Sequence, residues 1–361
     1  MKTVIASRPA PRRLTIAVAA VVALLTAGLG AQTASARMDV AIQDESVFLH
    51  QQFPYNVTTA YSQAKALGVK WIRFNILWGD YAAYCKKYGR SKCFKPWDDA
   101  VDRARANGVQ VQITIAGTPQ YEPRADKYLG YNRPNATRFR VFAVRVAKHF
   151  KGRVFRYSLW NEPNLGRWLS PTRQAPLLYR KLVLAGYPAL KRVVGRNQVL
   201  IGELTSSHDP LGFLRKAASG LKADGFAYHP FEFYKRPGSG GSSRGFTGIN
   251  STPTIKGTLR TLARQHRLTT LRGGTLPLYY TEFGYLTKGF YRMSEARRRV
   301  WALRAMRLVA RFRVREMLWY QLVHNPNSFG DVWDSGLVFK NTRTDSTYRN
   351  LRAHRGSYAG F

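Results

Sequence analysis

The run Tyr157-Ser158-Leu159-Trp160-Asn161-Glu162-Pro163-Asn164 carries an apolar stretch directly into a glutamate and then a proline. A short apolar run closed by a turn signal reads as a strand, Val154–Trp160, and Pro163 stops it from continuing. A carboxyl group at the mouth of a buried strand is costly to desolvate unless it is hydrogen-bonded or has chemistry to perform. The same construction recurs at Leu278-Tyr279-Tyr280-Thr281-Glu282-Phe283-Gly284. Moving outward, six further runs rich in Val, Ile, Leu and aromatics predict strands: Val40–Gln43, Lys70–Asn75, Gln110–Ile115, Gln198–Glu203, Asp224–Tyr228 and Met317–Gln321. Helical periodicity fills the intervals, at Asn56–Leu67, Asp98–Asn107, Ala136–Phe150, Arg173–Val194, Pro253–Arg267 and Ser294–Phe312. Gly68 and Gly108 punctuate helix ends, while Asp209-Pro210 and Thr252-Pro253 are helix starts.

Strand and helix alternating through eight strands predict an α/β fold, a single (β/α)8 TIM barrel spanning residues 37–361. An open doubly wound sheet would be expected to carry a Gly-rich phosphate loop after an early strand, and the chain has none. Long polar loops follow strands three, six and eight, and in a barrel these lie at the face that hosts chemistry. The Gly- and Ser-rich loop Lys235–Asn250 is expected to be the most mobile.

The first 36 residues read as a secretory signal peptide. Lys2, Arg8, Arg12 and Arg13 precede an apolar stretch from Leu14 to Leu29, and Ala34-Ser35-Ala36 supplies small residues for cleavage. The residues after Arg12-Arg13 match a twin-arginine signal poorly. The chain carries 58 Lys and Arg against 20 Asp and Glu, a formal net charge of +38. The four basic residues of the signal account for four of these, leaving +34 for the remainder. Such a field concentrates anions, whether anionic polysaccharide, wall phosphate, nucleic acid or lipid; equally, it can be a solvated coat. The densest cluster, Arg292 to Arg315, alternates with Val300, Leu303, Met306 and Val309, the pattern of an amphipathic helix with arginines outward. No compact basic and aromatic tract points to nucleic acid. Cys85 and Cys93, the only cysteines, are expected to form a disulfide after export. No metal-ligand spacing occurs, so no metal and no cofactor is expected.

With the strands counted in order, Glu162 ends the fourth and Glu282 the seventh. Here the sequence resembles the retaining glycoside hydrolases of the large barrel superfamily that has its acid on strand four and its nucleophile on strand seven. The resemblance spans nearly all of the chain after the signal. Its most specific signatures are Trp160-Asn161-Glu162-Pro163 and Thr281-Glu282-Phe283-Gly284. Gly68-Val69-Lys70-Trp71-Ile72-Arg73-Phe74, Gly117-Thr118-Pro119 and Trp333-Asp334-Ser335-Gly336-Leu337-Val338 are similar in character to families 39 and 5. The resemblance implies that Glu162 is the general acid/base and Glu282 the nucleophile. It also implies that Asn161 bonds a sugar 2-hydroxyl, and that Arg73 sits beneath Glu282 and holds it ionised. His229 would contact substrate or nucleophile, and Trp319 would floor the subsite where cleavage occurs. Two departures from family 5 stand out. Phe231 occupies the place of a nucleophile-bonding tyrosine, which leaves Tyr234 or Tyr280 to supply that hydroxyl. Ala116-Gly117-Thr118 also lacks the histidine common after strand three. Trp78, Tyr121, Trp168 and Trp333 fall in loops at the expected sugar-binding face, and aromatics so placed read as sugar platforms.

The expected function is therefore a secreted glycosidase, retained at the cell wall or released. It would hydrolyse, by double displacement, the O-glycosidic and chiefly β linkages of a poly- or oligosaccharide, anionic ones included. It is expected to work as a monomer, without nucleic acid and without membrane insertion. On sequence alone, two readings from other classes remain open: a sugar-binding barrel without catalysis, and a basic surface-adhesion protein.

Overall fold

The computed structural model describes Met1 and residues 38–51, 55–118, 133–243, 245–325 and 333–359. Residues 2–36 of the expected signal peptide lie outside these ranges, as does Tyr121. Eight parallel strands close a barrel: β1 (Asp39–Gln43), β2 (Val69–Leu77), β3 (Gln110–Ala116), β4 (Arg156–Leu159), β5 (Gln198–Thr205), β6 (Gly225–His229), β7 (Leu278–Tyr280) and β8 (Glu316–Tyr320). Each strand pairs with its neighbours in chain order, and β8 closes onto β1 with Ile42 opposite Trp319. A two-residue pair of strands, Leu221–Lys222 with Leu268–Thr269, sits apart from the barrel.

Helices cover the outside. Val57–Ala66 is capped by Asn56, whose side chain accepts from Thr59 N at 3.0 Å. Ala136–His149 is capped by Asn135 in the same way, and Glu295–Arg311 by Ser294. Among the described residues, no helix is long and apolar enough to cross a membrane.

The strands are buried on both faces, as their composition predicts, but their inward face is polar. Along β2 the residues Ile72, Phe74 and Ile76 are buried apolar, while Arg73 and Asn75 engage polar partners inside the barrel. The lower interior holds an Arg156–Glu316 ion pair, with the Arg156 guanidinium 3.4 Å from the Trp71 ring centre. Above it lies Arg73 with Glu203, Thr114 and Gln43. A polar interior of this kind is tolerable only when each group finds a partner. The apolar core proper lies between strands and helices.

One local expectation needs correction. Trp78 does not lie in a loop: it opens the helix Trp78–Tyr88, is buried, and stacks on Phe142 at 5.4 Å. Cys85 lies in that helix and bonds Cys93, so the expected disulfide is present and ties the helix to the segment that follows it. The loop Lys235–Asn250 is held by a buried carboxylate. Glu232 accepts from Ser243 Oγ at 2.5 Å, Tyr234 N at 3.1 Å and Lys235 N at 3.2 Å. Asn250 Oδ1 accepts from Gly238 N at 2.7 Å.

Candidate active site

The chain leaves β4 by an abrupt turn. Trp160 and Glu162 take positive φ values of 73° and 38°, a conformation non-glycine residues adopt only when their surroundings enforce it. The enforcement is visible. Trp160 N donates to Ile115 O at 2.8 Å and Glu162 N to Glu203 O at 3.0 Å. Asn164 then clamps the turn onto the end of β5, accepting from Thr205 N and donating to Thr205 O and Ser207 O. The motif Asn-Glu-Pro-Asn thus aims one carboxyl group into the barrel mouth. Glu282 arrives two residues past β7, with its side chain 14% exposed against 7% for Glu162.

Glu162, His229 and Glu282 each offer an atom within 4.8 Å of the others. His229 Nδ1 stands between the acids, 3.1 Å from Glu162 Oε1 and 3.6 Å from Glu282 Oε2. Such a trio could also ligate a cation, but Arg73 already brings a permanent positive charge to within 2.6 Å of Glu282 Oε1. Arg73 is completely buried. It bonds Asn161 Oδ1 at 2.7 Å and Thr114 Oγ1 at 2.8 Å, and also bonds Gln43 and Glu203. Arg73 thus joins Glu282 and Asn161 in one hydrogen-bonded group next to Glu162.

Charge is unevenly shared in this cluster. Burial pushes the Glu282 carboxyl above its ordinary value, with His229 and Arg73 only partly opposing it. Burial pushes Glu162 upward too, but the hydrogen bond and charge of His229, together with Arg167, outweigh it and leave Glu162 lowered. Burial lowers His229, yet Glu282 and Glu162 overcome that and raise it. Groups this close titrate together, so Glu162, His229 and Glu282 gain and lose protons as a set rather than singly.

A cavity of about 590 Å³ opens above the pair. Its β6–β8 wall is aromatic, built from Phe231, Phe233, Tyr291, Tyr320 and Trp333. Trp168 from the loop after β4 also lines it, as do Ser206, Ser207 and His208 after β5. Trp319 is absent from the lining. The pleat turns it outward, where its Nε1 donates to Ser335 O at 2.9 Å and its ring meets Phe283 edge-on at 5.9 Å. The next residue, Tyr320, faces the cavity instead, a correction of one position. Tyr280 is engaged elsewhere, with its hydroxyl 2.6 Å from Thr252 Oγ1. Among the described residues, Glu282 accepts a hydrogen bond from Arg73 and stands in ion-pair range of Arg73 and His229.

Three residues of the site lie outside the set expected from the sequence. Glu203 sits on a β5 bulge beside Gly202, at a φ of 44°, and turns inward to bond Arg73 and Thr114. Glu45 follows β1 and accepts from Asn75 N at 2.5 Å at the cavity edge. Arg167 approaches Glu162 Oε2 at 3.5 Å.

No protein-family profile matches the chain, and no curated protein matches it in sequence. Solved structures do match in fold. A family 39 glycoside hydrolase from the gut symbiont Bacteroides cellulosilyticus WH2 superposes with a TM-score of 0.65 at 16% identity, covering 88% of this chain and 64% of that one. A GH39 β-xylosidase from Caulobacter crescentus gives 0.62 at 16% identity, covering 88% and 71%. A family 1 β-glucosidase from Thermotoga maritima gives 0.60 at 13% identity, covering 90% and 99%. The chain is thus similar in fold to family 39 glycoside hydrolases and to other barrel glycosidases, and it spans less than two thirds of the first of these structures.

Proposed function

We propose that the protein is a secreted, retaining glycoside hydrolase acting on β linkages of a poly- or oligosaccharide. The observation that carries this reading is the approach of Glu162 and Glu282 to within 4.8 Å across the barrel mouth. Retaining enzymes keep the two carboxyl groups about 5–5.5 Å apart, whereas inverting ones need roughly 6.5–9.5 Å to admit a water. The β preference rests on the resemblance carried by the strand-four and strand-seven motifs. Export rests on the Leu14–Leu29 and Ala34-Ser35-Ala36 pattern, and the Cys85–Cys93 disulfide is consistent with it.

In the first step a Glu282 oxygen bonds the anomeric carbon while the glycosidic C–O bond breaks. The proton held between Glu162 and His229 passes to the departing oxygen, and the leaving sugar goes free as an alcohol. In the second step Glu162 takes a proton from water, the water oxygen bonds the anomeric carbon, and Glu282 leaves as carboxylate. Arg73 offsets negative charge on Glu282 in both steps. Because Arg73 occupies the Asn161 carbonyl oxygen, the Asn161 amide is oriented with its N–H₂ available to a sugar hydroxyl. Trp168 and Trp333 supply flat apolar faces for sugar rings.

The test uses 2,4-dinitrophenyl β-xyloside, β-glucoside and β-mannoside. Glu282→Ala is expected to lose turnover on all of them, and azide is expected to restore it as the α-glycosyl azide. Glu162→Ala is expected to keep much of its first step on this activated leaving group, with azide giving the β anomer. The same anomer from both variants would refute the assignment of roles.

A further inference from the structure

One cation in the cavity has no part in these steps. Arg167 follows Glu162 by five residues and lines the cavity next to Trp168. Its side chain is 59% exposed, and its only ion pair among the described residues is the 3.5 Å approach to Glu162 Oε2. A half-exposed pair at that distance contributes little, so most of the guanidinium's donor capacity is unspent.

Its position is informative. Glu162 directs Oε1 toward His229, which also faces Glu282, and directs Oε2 toward Arg167. Arg167 therefore stands on the side of the acid turned away from the nucleophile. A leaving group departs on that side. Among the cavity-lining residues at the ends of β1 and β2, by contrast, are the carboxyl groups of Glu45 and Asp80. The loop after β4 thus contributes a guanidinium to the lining, whereas the segments after β1 and β2 contribute carboxyl groups beside His50.

We propose that Arg167 makes the leaving-group side of the cavity a carboxylate-reading subsite, so that preferred substrates carry an acidic sugar, of the uronic type, on the unit that departs. This rests on the glycosidase reading above and names its substrate class. A planar guanidinium matches a carboxylate with two parallel N–H donors, a geometry that a lysine cannot supply. Docking also has a consequence for Glu162. After His229, Arg167 is the charge that holds this acid ionised. A carboxylate that neutralises Arg167 removes part of that hold, so Glu162 keeps its proton when an acidic leaving unit is in place.

The experiment compares 4-carboxyphenyl β-xyloside, β-glucoside and β-mannoside with their methyl esters. The readout is the carboxylate-to-ester ratio of kcat/KM, after the difference in leaving ability of the two phenols is removed with the slope of log kcat/KM over uncharged aryl glycosides. For the wild-type protein a ratio of about five to ten is expected, as suits a part-exposed charge-assisted contact. It should fall to about one in Arg167→Gln and to an intermediate value in Arg167→Lys. Arg173→Gln, exposed and outside the cavity lining, controls for the general basic surface and should retain the wild-type ratio. A wild-type ratio of one or below, or one that Arg167→Gln leaves unchanged, overturns the subsite. If no aryl glycoside is turned over, the glycosidase reading fails separately, and calorimetry on the same pairs decides the subsite. Tighter binding of the carboxylate that disappears in Arg167→Gln upholds it; equal binding, or none, overturns it.

Discussion

Replacing Arg73 by methionine would separate the architecture of this barrel from its chemistry. The methionine keeps much of the volume and removes the charge. What it leaves behind is severe: Glu203 with no exposed surface and Glu282 with 14%, both without their guanidinium. Thr114, Asn161 and Gln43 lose a donor as well. Breaking a buried ion pair from one side costs about 3–5 kcal/mol, and the charge left unpaired accounts for most of it. At about 2 °C per kcal/mol for a chain of this size, the melting temperature should fall by roughly 6–10 °C. The loss should depend on pH. Burial already raises Glu282 in the folded state, so its contribution to stability falls as pH climbs from the unfolded carboxyl value through the folded one. Without Arg73 the folded value rises further, and the deficit of the variant continues to grow over a wider span. Urea melts at pH 5 and pH 8 should therefore show the larger destabilisation at pH 8. Adding Glu203→Gln to Arg73→Met should recover part of the loss, because one stranded charge is gone. If Arg73→Met lay within about 1 kcal/mol of wild type at pH 8, Arg73 would not be the electrostatic hub of the barrel.

The disulfide offers an independent measure. Closing the short loop from Cys85 to Cys93 corresponds to about 2.5 kcal/mol of chain entropy, and the double serine variant should lose about that much in urea unfolding. An unchanged midpoint would mean that the helix Trp78–Tyr88 is held by packing alone. For turnover, kcat/KM should follow a bell in pH. Its acid limb reports Glu282 and should lie above the ordinary carboxyl value; its alkaline limb reports the proton shared by Glu162 and His229 and should lie above the ordinary histidine value. His229→Asn should move the alkaline limb to lower pH, and an unmoved limb would remove His229 from the proton's path.

The barrel was legible because strand–helix alternation survives in any sequence that builds one, and the punctuation at Gly68, Gly108 and Asp209-Pro210 marks its joints. Glu162 and Glu282 were legible because each closes a recognisable apolar run, whereas Arg73, Asn161 and His229 came from the family resemblance; the structure gathers all five at one end of the barrel. Other parts were hidden for identifiable reasons. Trp319 and Tyr320 are adjacent aromatics on a short strand, and only the register with β1 decides which of them faces inward. Glu203 closes the run Gln198–Glu203, but its inward turn to Arg73 depends on a bulge with no mark beyond Gly202. Glu45 did share the signature of the catalytic pair, an acid just past a strand end, and the same rule applied to β1 would have found it. The wall of Phe231, Phe233 and Tyr291 is assembled from two loops distant in sequence, so no local pattern announces it.

The net charge of +38 is set by composition, and burial sharpens it at the surface, because the barrel takes up more acids than bases. Among the described residues, Asp44, Glu162, Glu203, Glu232, Glu316, Asp334 and Asp345 are buried, while only Arg73, Arg156 and Arg298 are buried on the basic side. A chain with 20 acids that buries seven leaves few to offset its outer arginines. Those arginines are not gathered on one face. Arg138 and Arg140, Arg260 and Arg264, Arg304 and Arg311, and Arg349 and Arg352 are exposed on four different helices around the barrel. A coat of this kind draws polyanions to the surface without distinguishing among them, and salt weakens it over about a Debye length. Discrimination needs a charge at contact distance from the reacting bond, and among the described residues of the cavity the exposed guanidinium is that of Arg167. The two roles separate experimentally. Substitutions in the coat should alter how KM responds to salt for any acidic polymer, whereas Arg167→Gln should alter which leaving unit is preferred at a single salt concentration.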